Sequence, residues 1–375
     1  MTIRVSYVMI VVNGEPFIYY QLASVYPYAH EIVIVEGATE NFADMTTVDG
    51  HSTDRTLEVI ASFPDPECKI KLVRRNGVWP EKVDMCNALM PLVTGDIIWQ
   101  IDVDEFYHPW VHEYIAHLFD EDKELDRISF RVRDFFTSLC YEVVGAIHIL
   151  GLSDVRRVHR FTKGDRWLSH RPPTLVNTGG NPKTIRKEIM AQEMFKKDIY
   201  IFHATTLFEK QTRDKSAYYH RMWQDSHEEP SRWMDENWRN FKNPLNLSGI
   251  GGYAAWIERF SEPLPPALEQ MMANIESGKY SQYTLRDTTD IEHYLASPRY
   301  HQDVRLGKTL NSLYTSVGER NYLGILRKML LIILAYLRFP NRATNRYCFL
   351  GVLRFLYIYI KGYHLIPKGS RWLKD

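Results

Sequence analysis

Asp102 and Asp104 are separated by one residue and follow the apolar run Ile97-Ile98-Trp99-Gln100-Ile101. In an extended segment, residues i and i+2 project to the same side. Two carboxylates held side by side repel each other unless a cation neutralises them. Oxygen ligands of this kind favour Mg²⁺ or Mn²⁺ over softer metals. A lone pair of acids is more often a solvated loop. The apolar strand leading into this one points to a metal site. His203 lies in a second apolar segment, Ile199–Leu207 (IYIFHATTL). It reads either as a core histidine satisfied by backbone or as a third ligand, because neutral imidazole suits Mn²⁺.

The elements that would position these residues alternate along the first third of the chain. Val5–Val12 and Glu31–Val35 (EIVIV) are continuous apolar runs and predict strands buried on both faces. Lys69–Arg74 and Asp96–Ile101 predict two more strands. Helices are expected over Glu15–Tyr26, Thr53–Phe63, Glu81–Leu92 and Pro109–Phe119, the first with Asn13 near its cap and Pro16 in its first turn. Such alternation predicts an α/β fold, a mainly parallel sheet flanked by helices. Ligands of an open α/β sheet bind at the carboxyl ends of its strands, where Asp102 and Asp104 fall. Farther on, Arg127–Phe136, Tyr141–Ile149, Val155–Phe161 and Asp198–Ala204 read as strands that make the sheet mixed. Phe208–Gln224 and Ser231–Phe241 read as helices. Pro263, Pro265 and Pro266 mark a boundary. The expected division is 1–262, a catalytic domain with halves 1–110 and 111–262, followed by a basic helical region, 263–375.

Lys+Arg and Asp+Glu number 46 each among 375 residues, with 45% hydrophobic and 25% charged residues. This is ordinary globular usage and excludes a disordered chain or a polybasic nucleic-acid wrapper, so no nucleic-acid partner is expected. The four cysteines (Cys68, Cys86, Cys140, Cys348) form no CxxC pair. They fit a reducing cytosol better than a zinc ribbon or a disulfide scaffold. The opening apolar run reads as a first strand and not a signal peptide. The neutral total hides an asymmetry. From residue 320 onward there are eleven basic residues and one acid, a formal +10, which leaves −10 on residues 1–319. Two apolar runs, Met329–Leu337 and Cys348–Ile360, lie in that tail. Apolar helices flanked by basic residues suit peripheral association with an anionic membrane surface; a helical pair packed as a cap on the catalytic domain is the competing expectation.

The segments NGEPFIYYQLASVYP, EIVIVEG, DGHSTDRTLEVI and EKVDMCNALMPLVTGDIIWQIDVDEFYHP, in that order, resemble the donor domain of family 2 glycosyltransferases with the GT-A fold. The resemblance covers about the first 110 residues, with weaker echoes in VRRVHRFTKGDRWLSHRPPTL and IFHATTLFEKQTRDKSAYY. It implies a GT-A-like fold, a nucleotide-sugar donor, a divalent metal (Mn²⁺ or Mg²⁺) and inversion at the anomeric centre. It implies that Asp102 and Asp104 hold the metal on the diphosphate and that His203 completes its shell. Glu36 or Asp49 would meet the nucleoside, because the usual DGSTD sequence is split by an insertion of about a dozen residues. Lys82 and Asn87 would lie near the donor, Lys215 would contact phosphate, and Asn13 and Glu15 would either line the nucleotide site or cap a helix.

Inversion needs a base for the acceptor hydroxyl. Asp165 and His170 are the candidates, because Arg171 stands where some relatives carry an acid. Asp165 also reads as a simple turn residue, and Glu188 and Glu193 are the next acids to consider. Trp223, Trp233, Trp238 and Trp256, on or beside the later helices, read mostly as core and otherwise as a sugar-stacking platform. The expected activity is metal-dependent transfer to a glycan or lipid-linked acceptor in the cytoplasm, at the inner face of a membrane. The alternatives are a degenerate glycan-binding or scaffold protein and a sugar nucleotidylyltransferase. The second would need a Gly-rich basic loop where Asn13-Gly14-Glu15-Pro16 stands.

Overall fold

The computed structural model describes residues 3–145, 154–222, 229–247, 254–315 and 322–360. In chain order the first elements are β1 (Val5–Val11), α1 (Phe17–Val25), β2 (Glu31–Glu36), α2 (Thr56–Ser62), β3 (Ile70–Val73), α3 (Lys82–Leu89), β4 (Ile97–Gln100), β5 (Glu105–Phe106) and α4 (Pro109–Glu121). Next come β6 (Leu125–Phe136), β7 (Ser138–Gly145), β8 (Asp154–Arg160), β9 (Arg166–His170), β10 (Pro173–Val176), β11 (Lys187–Ile189), α5 (Ala191–Phe195), β12 (Ile201–Thr206), α6 (Glu209–Met222), α7 (Pro230–Trp233) and β13 (Ala255–Arg259). The chain then runs through α8 (Pro266–Glu276), α9 (Thr289–Leu295), α10 (Pro298–Thr315), α11 (Tyr322–Arg338) and α12 (Ala343–Ile360).

The chain forms two compact units that interleave in sequence. The first contains residues 1–133, 154–204 and 262–284, so the segment beyond Pro263 groups with it and not with the C-terminal helices. Its sheet is parallel at the centre: β1 pairs with β2 (Val8↔Val33) and β4 (Tyr7↔Trp99), and β2 pairs with β3. β8 then adds antiparallel to β4 and to β6, which makes the sheet mixed. β1, β2 and β4 are buried on both faces, which is why their sequences are continuous apolar runs with no alternation. Trp99 of β4 is fully buried, with ring centroids 5.4 Å from Tyr7 and 6.0 Å from Phe130. Truncating such a side chain typically costs ~3–5 kcal/mol. This rigid strand leads directly into Asp102.

The second unit contains residues 134–153, 205–261 and 285–375. β7 and β13 pair antiparallel in it, with Ile257 opposite Val143. Trp256, expected beside helices, therefore lies in a strand, and residues 146–149 of the expected Tyr141–Ile149 strand fall outside the described residues. Trp233, Trp238 and Trp256 are buried core residues, while Trp223 is outside the described residues. Leu310, Leu313, Ile325, Ile332, Cys348, Val352 and Phe355 form one core among α10, α11 and α12. Among the described residues, no helix is long and apolar enough to cross a membrane.

Candidate active site

The acidic run lies at the carboxyl end of β4. Ile101 N–H donates to Val8 O at 3.0 Å, the last rung before the chain turns. The turn closes with Glu105 N–H on Asp102 O at 3.1 Å. Gln21 of α1 clamps it from below, its amide donating to Asp102 O at 3.1 Å and to Glu105 O at 2.7 Å. A buried helix glutamine thus holds both carbonyls of the turn.

Two side chains from other strands complete the cluster. β12 pairs antiparallel with β5 so that His203 stands opposite Glu105. Its Nε2 lies 3.5 Å from Asp104 Oδ2, and the next residue, Ala204, donates its N–H to Asp104 O at 2.9 Å. Arg157 of β8 is buried and donates to Asp102 Oδ2 at 2.8 Å and to the Glu105 carboxylate. Burial alone would raise the Asp102 carboxyl, but the charges of Arg157 and Arg171 hold it well below the usual carboxylate range. For Glu105 burial outweighs the guanidinium, and its carboxyl is raised. Asp102 is therefore an anion with a fixed internal counter-ion.

Oxygen and imidazole donors from Asp104 and His203 suit Mg²⁺ or Mn²⁺. Among the described residues, no three His, Cys, Asp or Glu side chains are grouped as a ready metal cage. The donor set fits an ion that takes its other ligands from substrate oxygens and water, as Mg²⁺ commonly does beside phosphates. Asp102 is committed to Arg157 instead of lying open beside Asp104.

His170 ends β9 and is buried, with Nε2 3.2 Å from the Gln100 amide nitrogen. Burial, followed by the charges of Lys82 and Arg171, lowers its pKa well below the ordinary imidazole value, so the ring is neutral. Asn87 of α3 positions the strand that carries it. Its Oδ1 accepts from Trp167 N–H at 2.8 Å, and its Nδ2 donates to Trp167 O at 2.9 Å. The side chain pairs with β9 as a neighbouring strand would. Asp165 lies in a tight turn, where it accepts from Thr162 N–H at 2.9 Å and pairs with Lys183. Glu188 pairs with Arg127 and Ser129, and Glu193 accepts from Met190 N–H at the start of α5.

The split loop is tied to the end of β1. Asn13 Oδ1 accepts from Thr53 N–H at 2.8 Å, and its Nδ2 donates to Met45 O at 2.9 Å. Glu15 Oε2 accepts from Arg55 N–H at 3.1 Å beside the start of α2. Both residues thus serve the loop before α2 and not the N-terminus of their own helix, α1. The Glu36 carboxylate is buried, accepting from Ser52 N–H at 2.7 Å and pairing with His51 Nδ1 at 2.8 Å. Asp49 is exposed at the tip of the same loop. Lys215, in the second unit, is bonded to the Thr205 hydroxyl.

Arg157, Gln21 and Gln100 were not singled out from sequence. A signal existed for Arg157. Arg156 and Arg157 put cations on opposite faces of a strand, so one had to enter the sheet and find acids.

Residues 6–138 match the model of the family described as glycosyl transferase family 2. Over this segment the chain is similar to a family 2 glycosyltransferase domain. The segment spans β1 to the start of β7, including the acidic turn. No curated protein sequence matches the chain. Solved structures similar to it include TarS 1-349 of S. aureus in complex with UDP-GlcNAc, at 17% identity over 35% of each chain with a TM-score of 0.29. Glucosyl-3-phosphoglycerate synthase from Mycobacterium tuberculosis, in complex with Mn²⁺, UDP and glucosyl-3-phosphoglycerate, is also similar. It is 18% identical over 36% of this chain and 44% of that one, with a TM-score of 0.26. The chain spans less than half the length of each.

Proposed function

We propose that the chain is a metal-dependent inverting glycosyltransferase that moves a sugar from a nucleotide-sugar donor to an acceptor hydroxyl. The observation that carries this reading is the convergence of Asp104 and His203 at the carboxyl end of β4, which lies within the segment similar to a family 2 domain. Asp104 and His203 would hold the divalent ion, Mn²⁺ or Mg²⁺, and Asp102 would orient the turn through Arg157. A divalent cation supplies charge stabilisation to a departing diphosphate.

The chain's own residues account for the rest. Arg157 counters the charge of Asp102, which lessens the repulsion a diphosphate would meet at this turn. Lys82, at the start of α3, supplies positive charge on the His170 side. Glu36 keeps the nucleoside-side loop closed through Ser52 and His51, which leaves Asp49 as the exposed one of these two acids. His170 is the base we favour: its ring is neutral and can take the acceptor proton, whereas Asp165 is occupied by Lys183 and Thr162. Base catalysis of this kind typically contributes ~10²–10⁴-fold. The test is a panel of nucleotide-sugars, each with Mn²⁺ and with chelator, read by thermal shift and by release of nucleoside diphosphate. Metal-dependent stabilisation and turnover support the reading. Sugar binding without turnover or metal dependence would favour a glycan-binding protein on the same fold.

A further inference from the structure

The C-terminal helices bury one face and leave another apolar face in water. On α11, Ile325 and Ile332 point into the core shared with α10 and α12. Leu326, Leu330, Leu334 and Leu337, spaced four, four and three residues apart, share the opposite face. With Leu331 they are 53–66% exposed. On α12, Leu350, Leu353 and Tyr357 are 46–60% exposed and continue the face begun by the exposed Arg346. So many large apolar side chains left in water on two adjacent helices mark a surface that is normally covered. Where α11 turns into α12, a cavity of about 430 Å³ is lined by Gln302, Arg338, Phe339, Pro340, Asn341 and Arg342. Phe339 is half exposed beside it.

We propose that this face docks on an anionic phospholipid surface, with the leucines among the acyl chains and the α11–α12 turn receiving a lipid phosphate. This goes beyond glycosyl transfer and does not depend on it. Charge selects the occupant. The region from residue 320 carries a formal +10, and Arg327, Arg338 and Arg346 are exposed on the two helices that carry the leucines. A second copy of this chain would bring the same charge against it and be repelled; an anionic bilayer neutralises it. An interfacial helix needs this combination of a continuous apolar face and flanking cations, and neither helix needs to cross the bilayer. An acceptor carried on a lipid would be met at that surface.

The experiment is co-sedimentation of the full chain with vesicles of phosphatidylcholine alone or of equimolar phosphatidylcholine and phosphatidylglycerol, at low and physiological salt. Two double variants, L330E/L334E and R338Q/R346Q, accompany the wild type. All four positions are exposed, so thermal unfolding should not change. The wild type is expected to pellet with anionic vesicles and less so as salt rises, because exposed charges are screened beyond ~8 Å at physiological ionic strength. Each double variant is expected to bind about tenfold more weakly or worse. Wild-type protein left in the supernatant with anionic vesicles at low salt would overturn the proposal. So would L330E/L334E binding as well as wild type, or a wild-type dimer that L330E/L334E converts to a monomer while neither binds vesicles.

Discussion

Arg157 donates to Asp102 Oδ2 at 2.8 Å from a strand 55 residues later in the chain, and the same guanidinium nitrogen reaches Glu105. The charge of Asp102 is thereby countered from within the fold. One carboxylate of the pair is fixed, while the other, Asp104, faces His203. Replacing Arg157 with Gln leaves the buried Glu105 carboxyl and the part-buried Asp102 carboxyl without their cation. A stability loss of about 3–5 kcal/mol by denaturant unfolding is expected, as for other broken buried pairs. A loss under ~1 kcal/mol would mean that the guanidinium is dispensable.

Asn87→Ala removes both bonds to the Trp167 backbone. Its expected cost is about 1–3 kcal/mol, since two buried backbone groups lose their partners. Turnover should fall more than donor affinity, because β9 carries His170. Steady-state kinetics separate the two effects, and a change in donor affinity alone would place Asn87 against the donor instead.

His170 is held neutral by burial and by Lys82 and Arg171. If it is the base, the acidic limb of the rate profile lies well below the free imidazole value of about 6.5. His170→Asn should cut turnover ~10²–10⁴-fold at unchanged donor affinity. A limb at or above the free value, or a loss of only a few-fold, would point to another base.

Glu31 opens β2 as a buried carboxylate. Burial pushes its pKa up, but Lys71, Ser6 and Thr94 push harder and bring it down to about 2. A carboxyl lowered on folding stabilises the protein above its unfolded pKa, and that contribution is lost as pH falls through the folded value. Glu31→Gln should therefore flatten the stability–pH curve between about pH 4.5 and pH 2, at a cost of about 2 kcal/mol at neutral pH. Parallel curves for variant and wild type over that window would contradict this.

The central strands were legible in the sequence because β1, β2 and β4 are buried on both faces and spell out their burial. The position of the acidic turn followed from them. The β9–β10 hairpin was not legible. Its sequence, Arg166–His170 then Pro173–Val176, carries two prolines at the turn, and its anchor is a side chain, Asn87, some 80 residues earlier. The role of Arg157 was hidden for the same reason. An arginine in a strand does not name its acid, and only the β4–β8 pairing brings it to Asp102. The tail showed its charge and its apolar runs, but which leucines are buried depends on how α10 to α12 pack.

In the proposed mechanism, Asp104 and His203 hold a metal ion on the donor. The direct measurement is the unfolding temperature of wild type, D104A and H203A with a nucleotide-sugar, in Mn²⁺ and in chelator. A ligand at ~100 times its dissociation constant adds about 2.7 kcal/mol of stability. That increment is expected for the wild type only in Mn²⁺, and it should be lost in both variants, whose ligand-free unfolding stays near wild type. Equal stabilisation of the wild type in chelator, or an undiminished Mn²⁺-dependent increment in D104A, would contradict it.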